Sequence, residues 1–336
     1  MLWQALSAAL AVALAASLSG NLPPVSGPSG LWGVYDTSLR GAKYIDLTHA
    51  FSPGIPLWPG FKASTVGPAR SGQDLSPFAA LDQAFTYLEH GLVATAYQLN
   101  TDQIGTQLDP PAHWNEYGAT VSDIPATFAV RPLVVVDVTD KVKADPTYQA
   151  QPEDVLAWEA KHGTVPRGSV VFFRSGWGRD WPKIPKVVNG VSLAALKLIH
   201  DERGIMLHGH EPLDTDNTPN LEGEAWLLHN NYAQAEGVAN LHLVPEKGCL
   251  VSVGFAKPEG GTGGYARYVA ICPPSHPHGQ TIDEAPGAPL PVQPHPLRRD
   301  TDGVMRPKKG AEPTEYCTGK GAENAAGCAA GKPAWL

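Results

Sequence analysis

Glycine and proline interrupt this chain so often that long regular helices are excluded. The 336 residues include 35 Gly and 32 Pro, and both residue types favour turns and end regular elements. We therefore expect short strands and helices joined by many loops. Because 43% of the residues are hydrophobic and 17% are charged, there is enough apolar surface for a core, and disorder over the whole length is excluded.

The two ends of the chain differ from its middle. Residues 1–30 contain the apolar run Ala8–Leu18, which is as long as a signal-peptide core and shorter than the ~20 residues that span a membrane. We predict a signal peptide and linker here, and hence a secreted or periplasmic protein with no stable membrane span. If the run is not a signal, the protein is cytoplasmic. Residues 273–336 are rich in proline and poor in large apolar residues, which predicts a mostly disordered tail.

Four cysteines are too few for a disulfide scaffold. Cys249 and Cys272 lie at strand-like positions, where we expect them to be part of the core. Cys317 and Cys328 lie in the proline-rich tail. They would form a small disulfide loop only in an exported protein, and two free thiols are the alternative.

Between residues 40 and 272, strand patterns alternate with helix patterns. Short β-branched runs bounded by Gly, Pro or Asp predict strands at Lys43–Leu47, Leu133–Val138, Ser169–Arg174, Leu250–Phe255 and Tyr265–Ile271. Helices are predicted at Pro152–His162, at Ser192–Arg203 with Ser192 as N-cap, and at Ala225–Ala235. This mixture, without an internal repeat, indicates one α/β domain built on a single sheet system.

Charge and missing motifs exclude several functions. The 33 Asp+Glu exceed the 25 Lys+Arg and give a formal charge of −8. This acidic balance argues against a nucleic-acid partner, and we expect the partner to be a small-molecule substrate. The chain has no dinucleotide-binding Gly-x-Gly-x-x-Gly after a strand, no P-loop and no Gly-x-Ser-x-Gly elbow. The Gly-rich segment 260–264 lacks the Lys-Ser/Thr of a P-loop, and a strand follows it. We predict that it is a loop bordering a site.

One short stretch is dense in groups that bind cations. Gln103, Gln107, Asp109 and His113 place two amides, a carboxylate and an imidazole within eleven residues. Gly105 and two prolines in the same stretch restrict the backbone, so these side chains can be aimed at little entropic cost. Such donors suit a divalent cation. The alternative is a turn whose side chains bind only local backbone groups.

Two further polar clusters follow later in the chain. The segment 208–216 comes after a predicted strand at Gly204–Leu207, and α/β proteins place their sites at strand ends of this kind. The segment 222–231 contains Glu224, which together with Glu236 flanks the apolar run Trp226–Leu228. A carboxylate beside an apolar run is costly to bury unless it is paired or bound to a metal.

Together these segments resemble the cyclase family, which includes kynurenine formamidases and isatin hydrolases. The family motif is His-x-Gly-Thr-His-x-Asp-x-Pro-x-His, and the sequence from Gln103 to His113 matches its Gly, Thr, Asp, Pro and last His. Gln103 and Gln107 replace the first two histidines. Glu236 falls where the family has a late metal-binding Glu, and Glu224 replaces a family His. The resemblance covers residues 45–272.

The resemblance implies a single domain of the swivelling β/β/α type, assembled as a homodimer or larger homo-oligomer. It also implies metal-dependent hydrolysis of a small amide or lactone. The implied ligands are five oxygen donors and one imidazole: Gln103, Gln107, Asp109, Glu224, Glu236 and His113. Because oxygen-rich sites favour hard cations, we expect Mn²⁺, and one ion rather than a zinc pair, with Zn²⁺ as the alternative.

We expect a hydrolase of a small cyclic or aryl amide, or a lactone, that uses a metal-activated water. His113 and Glu224 are the candidate catalytic proton carriers, and His210 and Asp214 would orient the ligands. Trp58, Trp114 and Trp177 are candidates for an aromatic pocket wall. The alternatives are a cyclase or lactonase acting on a carbon skeleton, and a non-catalytic binding protein that has lost its metal ligands.

Overall fold

Short strands and short helices joined by turns make up the described regular structure, as the glycine and proline content predicts. The computed structural model describes residues 30–52 and 54–282, and two short strands at 297–299 and 305–307. Almost all of the predicted signal peptide and linker (1–30) lies outside the described residues. So does most of the predicted tail, including Cys317 and Cys328. Among the described residues, no helix is both long and apolar enough to cross a bilayer.

The described elements are numbered in chain order. The strands are β1 (Lys43–Asp46), β2 (Thr65–Pro68), β3 (Thr95–Gln98), β4 (Gln107–Asp109), β5 (Val130–Asp137), β6 (Val170–Arg174), β7 (Leu207–His210), β8 (Gln234–Glu236), β9 (Cys249–Phe255), β10 (Gly264–Cys272), β11 (Leu297–Arg299) and β12 (Met305–Pro307). The α-helices are α1 (Leu31–Val34), α2 (Tyr87–His90), α3 (Thr139–Ala144), α4 (Pro152–His162), α5 (Leu193–Lys197) and α6 (Glu222–His229). Short 3₁₀ turns and two π-helical turns connect or extend them.

Seven of the strands close into a ring. Their order is β10-β4-β8-β7-β6-β5-β9, and β10 pairs with both β4 and β9. Strands β5 to β8 are parallel neighbours, whereas the other pairs of the ring are antiparallel. β1 adds to β10 outside the ring, and residues after Cys272 continue along it, since Gln280 exchanges backbone hydrogen bonds with Tyr44. The predicted α/β domain is confirmed, but not its single sheet system, because β2 with β3 and β11 with β12 form two separate two-stranded sheets.

The buried residues of the parallel ring strands alternate between two cores, one on each face of the sheet. Side chains such as Leu133, Val135 and Phe172 belong to one cluster with Tyr268 of β10. Their neighbours in sequence, such as Val134, belong to a second cluster that includes residues of α4 and α5. Because successive side chains of a strand point to opposite faces, the first cluster fills the ring and the second is an outer layer under the helices.

Most predicted elements are present, but one helix and one strand prediction are partly wrong. The strand predicted at Gly204–Leu207 begins only at Leu207 and runs to His210, so the polar residues His208 and His210 lie within it rather than after it. The helix predicted at Pro152–His162 has those bounds in α4, and the Ser192 side chain accepts a hydrogen bond from Ala195 N as the predicted N-cap. The helix predicted at Ala225–Ala235 instead ends at His229, and residues 234–236 form β8. Asn231 has a positive φ of 63°, which stops the helix because a helix needs negative φ.

The core cysteines are joined by a disulfide that the spacing did not predict. Cys249 and Cys272 are both buried, as expected, and they form a disulfide. They stand opposite each other because Leu250 of β9 pairs with Ile271 of β10. The bond closes the β9–β10 pair at the end where β1 also joins the sheet.

Candidate active site

Three neighbouring strands carry the same short pattern, in which two polar residues flank an apolar or small one. The patterns are Gln107-Leu108-Asp109 in β4, Gln234-Ala235-Glu236 in β8 and His208-Gly209-His210 in β7. Leu108 and Ala235 belong to the core inside the ring. The flanking polar side chains therefore all point to the outer face of the ring, where they form one polar surface.

The β4–β8 register arranges two acids and two amides as a checkerboard, which we define as Gln107, Asp109, Gln234 and Glu236. Gln107 pairs with Glu236, and Asp109 pairs with Gln234. Each acid therefore has an amide opposite it and another beside it on its own strand. Like charges directly opposite each other on a sheet are destabilising, and diagonal neighbours are farther apart. The arrangement keeps the two acids on a diagonal.

Hydrogen bonds join all four members of the checkerboard. Gln107 Nε2 donates to Glu236 Oε2 at 2.9 Å and to both oxygens of Asp109 at 3.3 Å. Gln234 Nε2 donates to Glu236 Oε1 at 3.0 Å and to Asp109 Oδ2 at 3.2 Å. The two amides therefore bridge the two carboxyl groups from both sides.

A third buried acid, Glu224, completes the acidic group. Asp109, Glu224 and Glu236 are exposed by only 1%, 4% and 3%. Burial, and then repulsion from Asp109, raises the pKa of Glu224 to about 8, and the same two causes raise the pKa of Glu236 well above its ordinary value. Burial also raises the pKa of Asp109. Desolvation and mutual repulsion both disfavour the charged forms of these carboxyl groups. A nearby cation would stabilise the charged forms.

His208 and His210 on β7, the strand next to β8, do not supply a positive charge to these acids. His210 Nε2 lies 4.0 Å from Glu236 Oε1, and its Nδ1 lies 3.1 Å from the carbonyl of Pro212. Burial lowers the pKa of His210 to about 4, so its ring is neutral at pH 7. Burial also lowers the pKa of His208 well below the ordinary value.

Helix α6 brings Glu224 to the checkerboard, and Asp216 holds the start of that helix. Asp216 Oδ2 accepts hydrogen bonds from Gly223 N at 2.8 Å and Glu224 N at 3.2 Å, which satisfies two amides that have no partner within the helix. Trp114 Nε1 then donates to Glu224 Oε1 at 3.0 Å. Glu224 Oε2 has no hydrogen-bond partner.

Gln103 and His113 form the other side of the site. Gln103 Nε2 lies 2.8 Å from the carbonyl of Thr262 and 3.2 Å from His113 Nδ1, and its Oε1 accepts from Thr101 Oγ1 at 2.6 Å. The carbonyl of Thr262 requires an N–H, so the Gln103 amide is oriented with its nitrogen toward His113. The predicted Gly-rich loop therefore does border the site.

A cavity of about 400 Å³ opens onto these groups. Its polar lining is Gln103, Gln107, His113, Asp214, Glu224 and Glu236, and its apolar lining includes Leu57, Trp58, Phe61, Trp114, Leu213 and Leu221. Burial, and then the neighbouring Asp216 and Asp109 carboxylates, raises the pKa of Asp214 to about 7. Among the described residues that line the cavity, none is Lys or Arg.

The structure brings most of the predicted site residues together. Asp109 is 1% exposed and does not line the cavity, but it is hydrogen-bonded to Gln107, which does. Trp58 lines the cavity and is 44% exposed. Trp177 was expected in the same wall and is not there: it lines a second cavity with Arg179 and Lys186, and its Nε1 donates to the carbonyl of Val187, so that expectation was wrong. Within the described part of the chain, no three His, Cys, Asp or Glu side chains are grouped closely enough to hold a metal ion.

Gln234 and Thr215 belong to the site and were not singled out from the sequence. Gln234 was read as the end of a helix, which hid its partnership with Asp109. The repeated pattern of two polar residues around a small or apolar one, in three segments of the chain, is the signal that could have revealed it.

Replacing Asp216 by Asn tests how α6 is held. The Asn side chain loses one of two acceptor oxygens and points an N–H at backbone donors, so we expect Asp216→Asn to lower the free energy of unfolding by about 1–3 kcal/mol, measured by urea unfolding. Asp145→Asn is the matched control, because Asp145 Oδ1 accepts from the backbone and hydroxyl of Thr147 in the same local motif but is exposed. Equal stability of Asp216→Asn and wild type would refute this role.

Comparison with known proteins agrees with the fold and extends over most of the chain. The family model described as "Putative cyclase" matches residues 45–217, just over half of the chain. An isatin hydrolase of Roseibium aggregatum is 24% identical over 273 residues, which cover 74% of this chain and 99% of the relative.

Solved structures share the same architecture. Isatin hydrolase A from Ralstonia solanacearum superposes with a TM-score of 0.61 at 23% identity, covering 74% of this chain and 98% of its own. A structure described as a potential metal-dependent hydrolase with cyclase activity gives a TM-score of 0.52 at 18% identity, covering 68% and 98%. The expected fold is confirmed, and the chain belongs to the cyclase family.

Proposed function

We propose that this protein is a metal-dependent hydrolase of a small cyclic or aryl amide, or of a lactone. The observation that carries the proposal is the group of buried acids, Asp109, Glu224 and Glu236, beside a cavity whose described lining contains no Lys or Arg. Buried carboxyls without a counter-charge suit a cation. The names of the related isatin hydrolase and of the metal-dependent hydrolase with the same fold support this reading.

The chemistry of the donors fits a hard divalent cation, but the side chains would have to move to bind one. As they stand, no three His, Cys, Asp or Glu side chains of the described residues are grouped closely enough to hold an ion, so binding would require Gln107 to release the Asp109 and Glu236 carboxyl groups.

Asp109 and Glu236 would hold the cation, together with the amide oxygen of Gln107, which lines the cavity and can turn toward it. The other two predicted ligands are assigned to proton transfer instead. His113 has Nδ1 facing the Gln103 amide nitrogen and its ring proton on Nε2, and Glu224 keeps only Oε2 without a partner. When bound, such a cation polarises a substrate carbonyl and lowers the pKa of a water molecule. The excess of oxygen donors favours Mn²⁺ over Zn²⁺. Because both ends of the Gln103 amide are already hydrogen-bonded, we assign Gln103 to orienting His113 rather than to metal binding.

His113 and Glu224 are placed to move protons. Gln103 can only donate to His113 Nδ1, so the neutral ring carries its proton on Nε2. That nitrogen lies 4.0 Å from Glu224 Oε1, and both residues line the cavity. His113 Nε2–H can give a proton to a leaving group, and the unpartnered Glu224 Oε2 can take one from a nucleophilic water.

The apolar wall favours a flat or aromatic substrate. Trp58, Phe61 and Trp114 line the cavity, and aromatic side chains pack well against rings. A substrate whose scissile carbonyl is attached to an aromatic ring would bury that ring among them and direct the carbonyl to the acids.

A non-catalytic binding protein is the second candidate. It is favoured by the completeness of the hydrogen bonds that Gln107 makes to Asp109 and Glu236, since these bonds satisfy the acids without any ion.

Turnover on a panel of aryl formamides, cyclic imides and lactones separates the two candidates. We expect metal-dependent hydrolysis of at least one class, faster with Mn²⁺ than with Zn²⁺, and lost after chelation. Asp109→Asn should reduce the rate by ~100-fold or more, as the loss of a ligand or its charge does. The control Asp201→Asn changes an exposed acid that binds only Tyr232 OH in the described structure and should leave the rate unchanged. Binding of a panel compound by both proteins without turnover would favour the binding candidate.

We also propose that the protein is exported. The Cys249–Cys272 disulfide supports this, because disulfides persist in oxidising compartments and are rare in the cytosol. Expression of the full-length chain in a bacterial host, followed by fractionation and N-terminal sequencing, should yield a processed protein outside the cytoplasm. Recovery of only the unprocessed chain in the cytoplasmic fraction would contradict the proposal.

A further inference from the structure

The two amides of the checkerboard are not equivalent. Gln107 lines the cavity, whereas Gln234 is 0% exposed and lies behind the acids. Gln234 Nε2 binds Asp109 Oδ2 and Glu236 Oε1. Gln107 bonds Asp109 Oδ1 and Glu236 Oε2, and it shares Asp109 Oδ2 with Gln234. One oxygen of each acid is thus fixed from the interior by Gln234, and the other is bonded only by the amide that borders the cavity.

Thr215 and the two acids together hold the Gln234 amide. Thr215 is also 0% exposed, and its hydroxyl donates to Gln234 Oε1. The carboxylate oxygens of Asp109 and Glu236 select the orientation of the amide, because the reversed amide would set Oε1 against these acceptors. The Thr215 hydroxyl then supplies the donor that the buried Oε1 needs, and without it this oxygen would be unsatisfied.

We infer that Gln234, locked by Thr215, is a positioning residue that holds the Asp109 and Glu236 carboxyl groups in the geometry that presents one oxygen of each to a divalent cation in the cavity. The inference rests on the proposed metal-dependent function. It assigns a task to Gln234 and Thr215, neither of which touches the cavity. Groups that orient metal ligands in this way typically change metal affinity 10–100-fold when they are removed.

The test compares Mn²⁺ binding by metal-free wild type, Gln234→Met and Thr215→Val, using the full chain. Free Mn²⁺ is measured by electron paramagnetic resonance, and thermal unfolding of the metal-free proteins is recorded in parallel. Met keeps the length of Gln and removes both N–H donors. Val keeps the shape of Thr and removes the hydroxyl. We expect the dissociation constant for Mn²⁺ to rise at least tenfold in Gln234→Met and in the same direction, by less, in Thr215→Val.

A matched pair of control variants lies outside the site. Thr65 Oγ1 donates to Gln98 Oε1 at 3.2 Å in the separate two-stranded sheet of β2 and β3, so Gln98→Met and Thr65→Val make the same chemical changes there. They should leave Mn²⁺ affinity at the wild-type value.

The outcomes separate this inference from the proposed function. Wild-type Mn²⁺ affinity in both site variants, with or without a lower melting temperature, would overturn the positioning role and leave the proposed function standing. Absence of Mn²⁺ and Zn²⁺ binding by wild type would overturn both. If Gln234→Met does not fold, Thr215→Val decides: weaker Mn²⁺ binding supports the inference, and unchanged binding refutes it.

Discussion

The pairing of β4 with β8 is the constraint on which the site depends. It sets Gln107 against Glu236 and Asp109 against Gln234, and so places two acids within one hydrogen-bonded group without setting them face to face. Shifting either strand by one residue would turn that strand's two checkerboard side chains to the other face and separate them from their partners, because strand side chains alternate. Leu108 and Ala235 oppose such a shift, since both are buried inside the ring.

The closed ring explains why this register is stable. β10 pairs with β4 at one end of its length and with β9 along most of the rest, so β4 is fixed within the ring rather than lying at a free edge. The Cys249–Cys272 disulfide joins β9 to β10. The segments that complete the site, α6 with Glu224 and the 3₁₀ turn that ends at His113, then cover a polar surface that the ring already holds in place.

Local patterns predicted the parts of the molecule that depend on local sequence. β-branched runs located β5, β6, β9 and β10, and the Pro and acids at Pro152–His162 located α4 with its correct bounds. Asp109, Glu224 and Glu236 were found because charged groups beside apolar runs need a partner, and the family resemblance placed them in one site.

The remaining features depend on contacts between distant segments. Gln234 was missed because β8 is only three residues long. A strand of this length is too short to show the alternation of polar and apolar residues that predicts a strand. The disulfide depends on the β9–β10 register, and the position of Trp177 depends on the path of a loop. The hydrogen bonds of the Gln103 side chain could not be predicted from the sequence either. Its partners Thr101, Thr262 and His113 come from different parts of the chain and are brought together only by the fold.

The central claim is that the acids of the checkerboard hold a divalent cation in the cavity. Anomalous scattering from crystals of the protein grown with Mn²⁺ tests it most directly. The account predicts one manganese peak in the cavity, bonded to a carboxylate oxygen of Asp109 and one of Glu236, with the Gln107 side chain displaced from its hydrogen bonds to them. A cavity without a peak, or a peak that contacts neither acid, would contradict it.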